Sequence, residues 1–276
     1  MKMIQPSPVW AKRTDKQVDG MPQYDSDNIV DHDEFYTFTD YWGQLFCDGV
    51  GTRGFGFDAI AHPSKVGETV TIPDDHGVFG FLDESAEIGM TICHEDFFIA
   101  VQPGQWFQCP GNITFDVPHG GRVMLVQRVG FDAMVAQGTV EKRGRLKYIN
   151  GCHDTILCGP IKADYPVINT LHMPNGINQT MHTHPSTRVG FIIDGGADAE
   201  TPAGRHPLRK GTIFFMPTNG RHKFRTDMDD KTTMRLVAFH PESGGIGPQD
   251  ENHIMLNRTV VDGKGADQHP DIQTKD

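Results

Sequence analysis

No two cysteines of this 276-residue chain form a C-x-x-C pair, and nowhere do eighteen apolar residues run together. The five cysteines, Cys47, Cys93, Cys109, Cys152 and Cys158, are odd in number. The first residues, MKMIQPSPVWAKRTDK, lack the hydrophobic core of a secretory signal. Together these point to reduced, mostly buried thiols and a cytoplasmic protein. The missing apolar run excludes a transmembrane helix. Dense Lys/Arg runs are also absent, and 25 basic against 36 acidic residues leave a net charge of −11. That balance argues against nucleic acid or an anionic membrane as the main partner. It leaves room for a local cationic pocket that takes an acidic small molecule. No G-x-G-x-x-G stands in a strand–helix setting, and no Walker, Ser-elbow or kinase signature occurs. The stretch Gly49-Val-Gly-Thr-Arg-Gly-Phe-Gly56 is Gly-rich without the Lys-Ser/Thr ending of a phosphate loop, and reads as turn-forming. Trp and Tyr are scarce, at 3 and 5 against 17 Phe, which predicts Phe-rich cores.

Long amphipathic helices are absent, and short strand-like runs take their place. In the first half these are Thr69–Ile72, Gly77–Leu82, Glu87–Cys93, Phe97–Val101, Gln105–Gln108 and Arg122–Val129, set between Gly, Pro and Asp breakers. Met234–His240 reads as a strand in the second half. The chain divides into a polar arm over 1–35, a compact region over 36–140, a second over 141–258 and a polar tail over 259–276. The second region opens with a charged linker, Glu141-Lys-Arg-Gly-Arg-Leu-Lys.

Against this background three histidines carry most of the functional information. His182 and His184 are separated by one residue, and residues two apart on a strand face the same way. His222 follows the Gly/Pro-punctuated run Gly211-Thr-Ile-Phe-Phe-Met-Pro217. Three neutral imidazoles suit Fe, Zn, Cu, Ni or Co. Three protein ligands with positions left open make a catalytic rather than a closed structural site.

The surrounding pattern resembles the cupin superfamily. Gly176, His182, His184 and Gly195 fall on its first motif, G-x5-H-x-H-x3,4-E-x6-G. Gly211, Pro217 and His222 fall on its second, G-x5-P-x-G-x2-H-x3-N. The resemblance covers about residues 150–245 and implies an all-β, double-stranded β-helix (jelly-roll) fold. Three positions depart: Arg188 stands where the family has Glu, Asn219 where it has Gly, and Thr226 where it has Asn. The spacing Gly104…Pro110 repeats that of Gly211…Pro217, so a bicupin with two barrels is expected. In the first copy Phe115 occupies the place of His222, and counting back from Gly104 puts Asp75, beside His76, at the place of His182. The first barrel is therefore expected to keep the shape without the metal site.

By this resemblance His182, His184 and His222 hold a metal, Fe(II) first, with Zn, Mn, Ni, Co or Cu as alternatives. The implied activity is a mononuclear non-haem iron dioxygenase that uses dioxygen on a small anionic or chelating organic substrate. A metal-dependent isomerase or lyase of a sugar acid or small carboxylate, and a non-enzymatic small-molecule-binding protein, remain open. A homodimer is expected by analogy with the family. Arg188 cannot ligate a cation, but its guanidinium fork binds carboxylate or phosphate bidentately. The alternative is that it turns outward or pairs with Asp194. His240, ending its strand, is the candidate acid or base. Gln179 is a candidate weak ligand. Lys223 and Arg225 read as exposed, His94-Glu95-Asp96 as a hairpin turn, and His62, His76, His119, His253 and Arg258 carry no assigned role.

Overall fold

The computed structural model describes residues 29–31, 34–49, 51–243 and 260–272. Every strand pairing among them is antiparallel, and no described helix is long and apolar enough to cross a membrane. Two short strands come first, β1 (Ile29–Asp31) and β2 (Tyr36–Phe38). Ten follow in the first barrel: β3 (Trp42–Cys47), β4 (Thr52–Asp58), β5 (Thr69–Ile72), β6 (Gly77–Leu82), β7 (Met90–Cys93), β8 (Phe98–Val101), β9 (Gln105–Cys109), β10 (Ile113–Asp116), β11 (Arg122–Arg128) and β12 (Ala136–Thr139). The second barrel is built from β13 (Leu146–Lys147), β14 (His153–Cys158), β15 (Val167–Met173), β16 (Arg188–Thr201), β17 (Gly204–Arg209), β18 (Ile213–Met216), β19 (Lys223–Arg225) and β20 (Met234–His240). In the expected tail, Val260–Val261 and Lys264–Gly265 pair as a small hairpin.

The two halves share one wiring. The large sheet of the first barrel runs β12-β9-β6-β11-β4-β3, and that of the second contains β2-β18-β16-β20-β15-β14. The facing sheet of the first barrel is β5-β10-β7-β8. Its counterpart is made where the far half of β16 pairs with β17 and β19. Strand β16 thus serves both walls and must turn a corner. The turn comes at Gly195, with φ +69°, where an added Cβ would lie 2.0 Å from the Thr233 carbonyl oxygen. Only glycine fits there.

Phenylalanines fill three cores. One lies inside the first barrel around Phe55, Phe57 and Phe107, and one inside the second around Phe35, Phe214 and Phe224. The third joins the two large sheets face to face. There Phe46 meets Phe215 at 4.3 Å, Phe79 meets Phe239 at 5.0 Å and Phe81 meets Phe191 at 5.5 Å. Because both faces of these sheets are covered, β6 and β18 are buried at every position. That is why they read as apolar runs rather than alternating ones.

Three sequence expectations need correction. The Gly-rich stretch is not only a turn, since β4 takes Thr52–Asp58 and pairs with both β3 and β11. Its Gly54 makes room for an aromatic ring, because a Cβ there would lie 2.0 Å from Phe46. Residues 36–38, assigned to the first compact region, pair with β18 of the second barrel, and Phe35, assigned to the arm, lies fully buried in its core. The charged linker enters the second barrel as expected, but its last residues, Leu146–Lys147, are themselves a strand, β13, paired with β14.

Candidate metal centre

His182 and His222 face each other across an isolated antiparallel bridge, with backbone N–H···O distances of 2.9 and 3.0 Å. His184 lies outside any regular strand, and its carbonyl accepts from Asn219 N–H at 2.8 Å. Strand alternation is therefore not what brings His182 and His184 together. The bridge and the Pro217–Gly220 turn do so, and one ring nitrogen of each histidine lies within 4.8 Å of those of the other two. Asn219 takes the family's Gly position with φ +61°, a conformation that asparagine tolerates best among non-glycine residues. Thr226, in place of Asn, is fully buried. It donates to the Pro174 carbonyl at 2.6 Å and accepts from Ile177 N–H at 3.1 Å. It thereby ties down the segment leading to His182.

The N-terminal residues complete the support. Phe35 stacks on Phe214 at 5.4 Å and lies 6.3 Å from the His222 ring. Glu34 grips the Arg221 guanidinium at 2.9 Å and accepts from its backbone N–H at 2.9 Å.

The donor set fits a divalent transition metal. Nδ1 of His182 lies 2.8 Å from the Thr180 carbonyl oxygen, and Nδ1 of His222 lies 3.0 Å from that of Gly220. A carbonyl only accepts, so both Nδ1 atoms carry the proton and both Nε2 lone pairs are free to ligate. Burial, Arg188 and the neighbouring imidazoles push His184 down to about 3. Burial above all, then His182 and Arg188, pushes His222 down to about 4, against the pull of the Gly220 carbonyl. Both rings are neutral at pH 7, as ligation requires.

These histidines line a cavity of about 80 Å³ with Leu171, Met216 and Leu236 among its apolar walls. Arg188 opens β16 at its rim and is only 8% exposed. It does not turn outward, and it forms no ion pair with Asp194, whose Oδ1 accepts from Gly195 N–H instead. Nη1 of Arg188 donates to the Ser186 and Thr187 carbonyls and to the Ser186 hydroxyl, which itself donates to Glu242. Nε is buried without a hydrogen-bond partner. Burial pushes this guanidinium down to about 10, with Glu242 and Tyr148 opposing. The cavity therefore sets a buried cation beside three imidazoles, and among the described residues no carboxylate forms an ion pair with the guanidinium.

His240 also lines the cavity. Its Nε2 lies 2.8 Å from Asn169 Oδ1, and Asn169 Nδ2 donates to both oxygens of Asp154, at 2.8 and 3.0 Å. Burial, then Arg188 and His184, pushes His240 well below its ordinary value. Burial raises Asp154. Asp154, Asn169 and Tyr148 were not singled out in the sequence. No local signal marks Asp154, because burial along β14 does not alternate. Gln179 lines the cavity, yet its amide is spent. Oε1 accepts from Phe224 N–H at 3.1 Å and Nε2 donates to Cys152 Sγ at 3.4 Å. Lys223 and Arg225 are paired with Glu200, and Arg225 also with Asp227. His94-Glu95-Asp96 forms the hairpin turn between β7 and β8, closed by His94 N–H to the Phe97 carbonyl. His253 and Arg258 lie outside the described residues.

The first barrel differs at the equivalent place. Phe115 pairs with Val70, not with Asp75, because the connection after β5 is not the same length as its counterpart. Both are buried and apolar in the first core.

The family model of the AraC-like ligand binding domain matches residues 174–244. Among solved structures, AerE from Microcystis aeruginosa is 11% identical, with 79% of this chain and 97% of that chain covered and a TM-score of 0.53. Protein Ylba from E. coli is 15% identical over 80% and 97%, with a TM-score of 0.50. A cupin 2 conserved barrel domain protein from Leptotrichia buccalis is 10% identical over 76% and 90%, with a TM-score of 0.49. No protein of curated function matches significantly. The fold is an all-β, cupin-like jelly roll.

Proposed function

We propose that this chain is a mononuclear metal-dependent enzyme, an Fe(II) dioxygenase of a small anionic substrate, with His182, His184 and His222 as ligands. The observation that carries the reading is the buried guanidinium of Arg188, which shares one small cavity with the three imidazoles. A neutral ligand set beside a buried cation lacks negative charge. A chelating anion supplies it, because Asp154, the carboxylate among the cavity's described residues, is taken up by Asn169. A bound metal would polarise the substrate and activate dioxygen. Arg188 binds and orients the anionic group through the donors that Ser186 and Thr187 leave free. The apolar walls exclude water and strengthen that pairing. His240 sits where a proton of the substrate can be accepted.

The test is metal analysis of protein purified without a His tag, then anaerobic Fe(II) reconstitution and oxygen uptake against a panel of thiol acids, β-diketones and phenolic acids. Uptake that depends on iron and on one substrate class supports the reading. Turnover without oxygen uptake points instead to a metal-dependent isomerase or lyase. A second reading, small-molecule binding without turnover, draws on the match to a ligand-binding domain over 174–244. Tight binding of a panel member with no reaction on any metal would favour it.

A further inference from the structure

Four inward side chains form a ladder across neighbouring strands of the second large sheet. Asp154 comes from β14, Asn169 from β15, His240 from β20 and Arg188 from β16, which are consecutive neighbours in the order β14-β15-β20-β16. Val189 pairs with Phe239, so the register carries Arg188 alongside His240. All four line the same cavity.

We infer that Asp154 and Asn169 are positioning residues that hold His240 in its Nε2–H form, so that Nδ1 is the one polar atom His240 can offer a cavity ligand, and only as an acceptor. The argument runs from one end of the ladder to the other. An ionised carboxylate accepts hydrogen bonds and cannot donate them. Asn169 turns one group towards both oxygens of Asp154, at 2.8 and 3.0 Å, and that group is therefore its NH2. The amide orientation is thus fixed by charge rather than left to choice. Asn169 Oδ1 then faces His240 Nε2 at 2.8 Å, and an oxygen that only accepts requires the ring nitrogen to carry the proton. In a neutral imidazole the other nitrogen is bare. Burial above all, then the charge of Arg188, keeps the ring neutral until a bound anion offsets that charge.

This inference rests on the reading of the cavity as the substrate site, and it narrows that reading. The ligand meets a donor in Arg188 and an acceptor in His240. A molecule that engages both carries an anionic group and, next to it, a hydroxyl, thiol or enol proton. That proton goes to Nδ1 when His240 acts as a base, and Nε2 keeps its own.

Nitrogen-15 NMR of metal-free protein labelled at histidine tests the lock without substrate or turnover, so its result is separate from that of the oxygen-uptake assay. His240→Gln identifies the resonances. In the wild-type protein Nε2 is expected to be pyrrole-like and Nδ1 pyridine-like, as a single form. In Asp154→Asn the second amide can either donate or accept, so Asn169 is free to flip, and both nitrogens should move towards intermediate shifts. Asn169→Val, which keeps bulk but removes the bridge, should do the same. The other histidine resonances report whether each variant is folded. An Nδ1–H form in the wild-type protein would overturn the inference, as would an unchanged pure Nε2–H form in both folded variants.

Discussion

Replacing Arg188 should change metal and anion affinity in opposite directions. The guanidinium is 8% exposed, and burial pushes its pKa down to about 10 against an ordinary 12.5. That depression corresponds to a charge-burial penalty on the order of 3 kcal/mol. A bound carboxylate relieves it, and leaving such a pair half-made costs roughly 2–5 kcal/mol. At about 1.4 kcal/mol per tenfold, Arg188→Ala should weaken a chelating carboxylate thirty-fold or more. Arg188→Glu should weaken it further, since it sets two like charges together, while tightening divalent metal by adding an anionic oxygen beside the imidazoles. Arg188→Gln keeps length without charge and should fall between the wild type and Arg188→Ala for the anion. Calorimetry with zinc as a redox-inert metal, and with oxalate as the chelating probe, measures both affinities in each variant. Near-normal values for metal and oxalate in all three variants would refute the anion clamp. The three-histidine centre would stand untouched by that result.

Further outcomes follow from the same geometry. His182→Ala, His184→Ala and His222→Ala should each lose bound metal in elemental analysis while keeping the wild-type circular dichroism, and full occupancy in any one would remove that residue from the centre. The protein should bind close to one metal per chain, because Phe115 and Val70 fill the equivalent place in the first barrel; a second tight metal that survives His182→Ala would contradict this. The metal-free protein should lose stability on acidification. His184 and His222 are depressed to about 3 and about 4, while the unfolded chain takes up protons near 6.5. The unfolded state then holds more protons from pH 6.5 down to about 4 for His222 and about 3 for His184, so the contribution is full above 6.5 and is lost as pH falls through that window. Thermal melts of the metal-free protein should show this slope, and it should flatten in a His184→Gln, His222→Gln double variant. Phe35→Ala should cost about 3–5 kcal/mol in urea denaturation, since the ring is fully buried against Phe214 and Phe224; a change below 1 kcal/mol would show that the ring's packing is dispensable.

Much of this was legible in the sequence because short strands leave sharp local marks. Thr69–Ile72 and Gly77–Leu82 coincide with β5 and β6, and Met234–His240 with β20. Gly and Pro at fixed distances located the three histidines. What escaped depended on partners far along the chain. Gly54 looked like a turn because the ring it accommodates, Phe46, lies on the neighbouring strand. Phe35 looked like part of an arm because its pocket is made by residues 214–224. Asp154 is the lone Asp, Glu, Lys or Arg between Lys147 and Lys162, and its bridge to Asn169, on the neighbouring strand, is what ties it to the cavity wall. The equivalence of Asp75 with His182 failed because a residue count assumes loops of equal length, whereas Val70 is what β-pairing places there.

Strand β2 pairs with β18 across more than half the chain, joining Tyr36–Phe38 to Ile213–Phe215. During synthesis Tyr36–Phe38 must wait for β18 while the whole first barrel and most of the second are made. Contacts so distant in sequence are slow to form, and an unpaired strand is open to wrong partners in the interval. Tyr36 and Phe38 are buried once paired, so the waiting segment is also apolar. Cutting the chain near residue 140 would leave the second barrel without its closing strand and without the ring beneath His222. The two barrels are similar in wiring, but they are not separable parts.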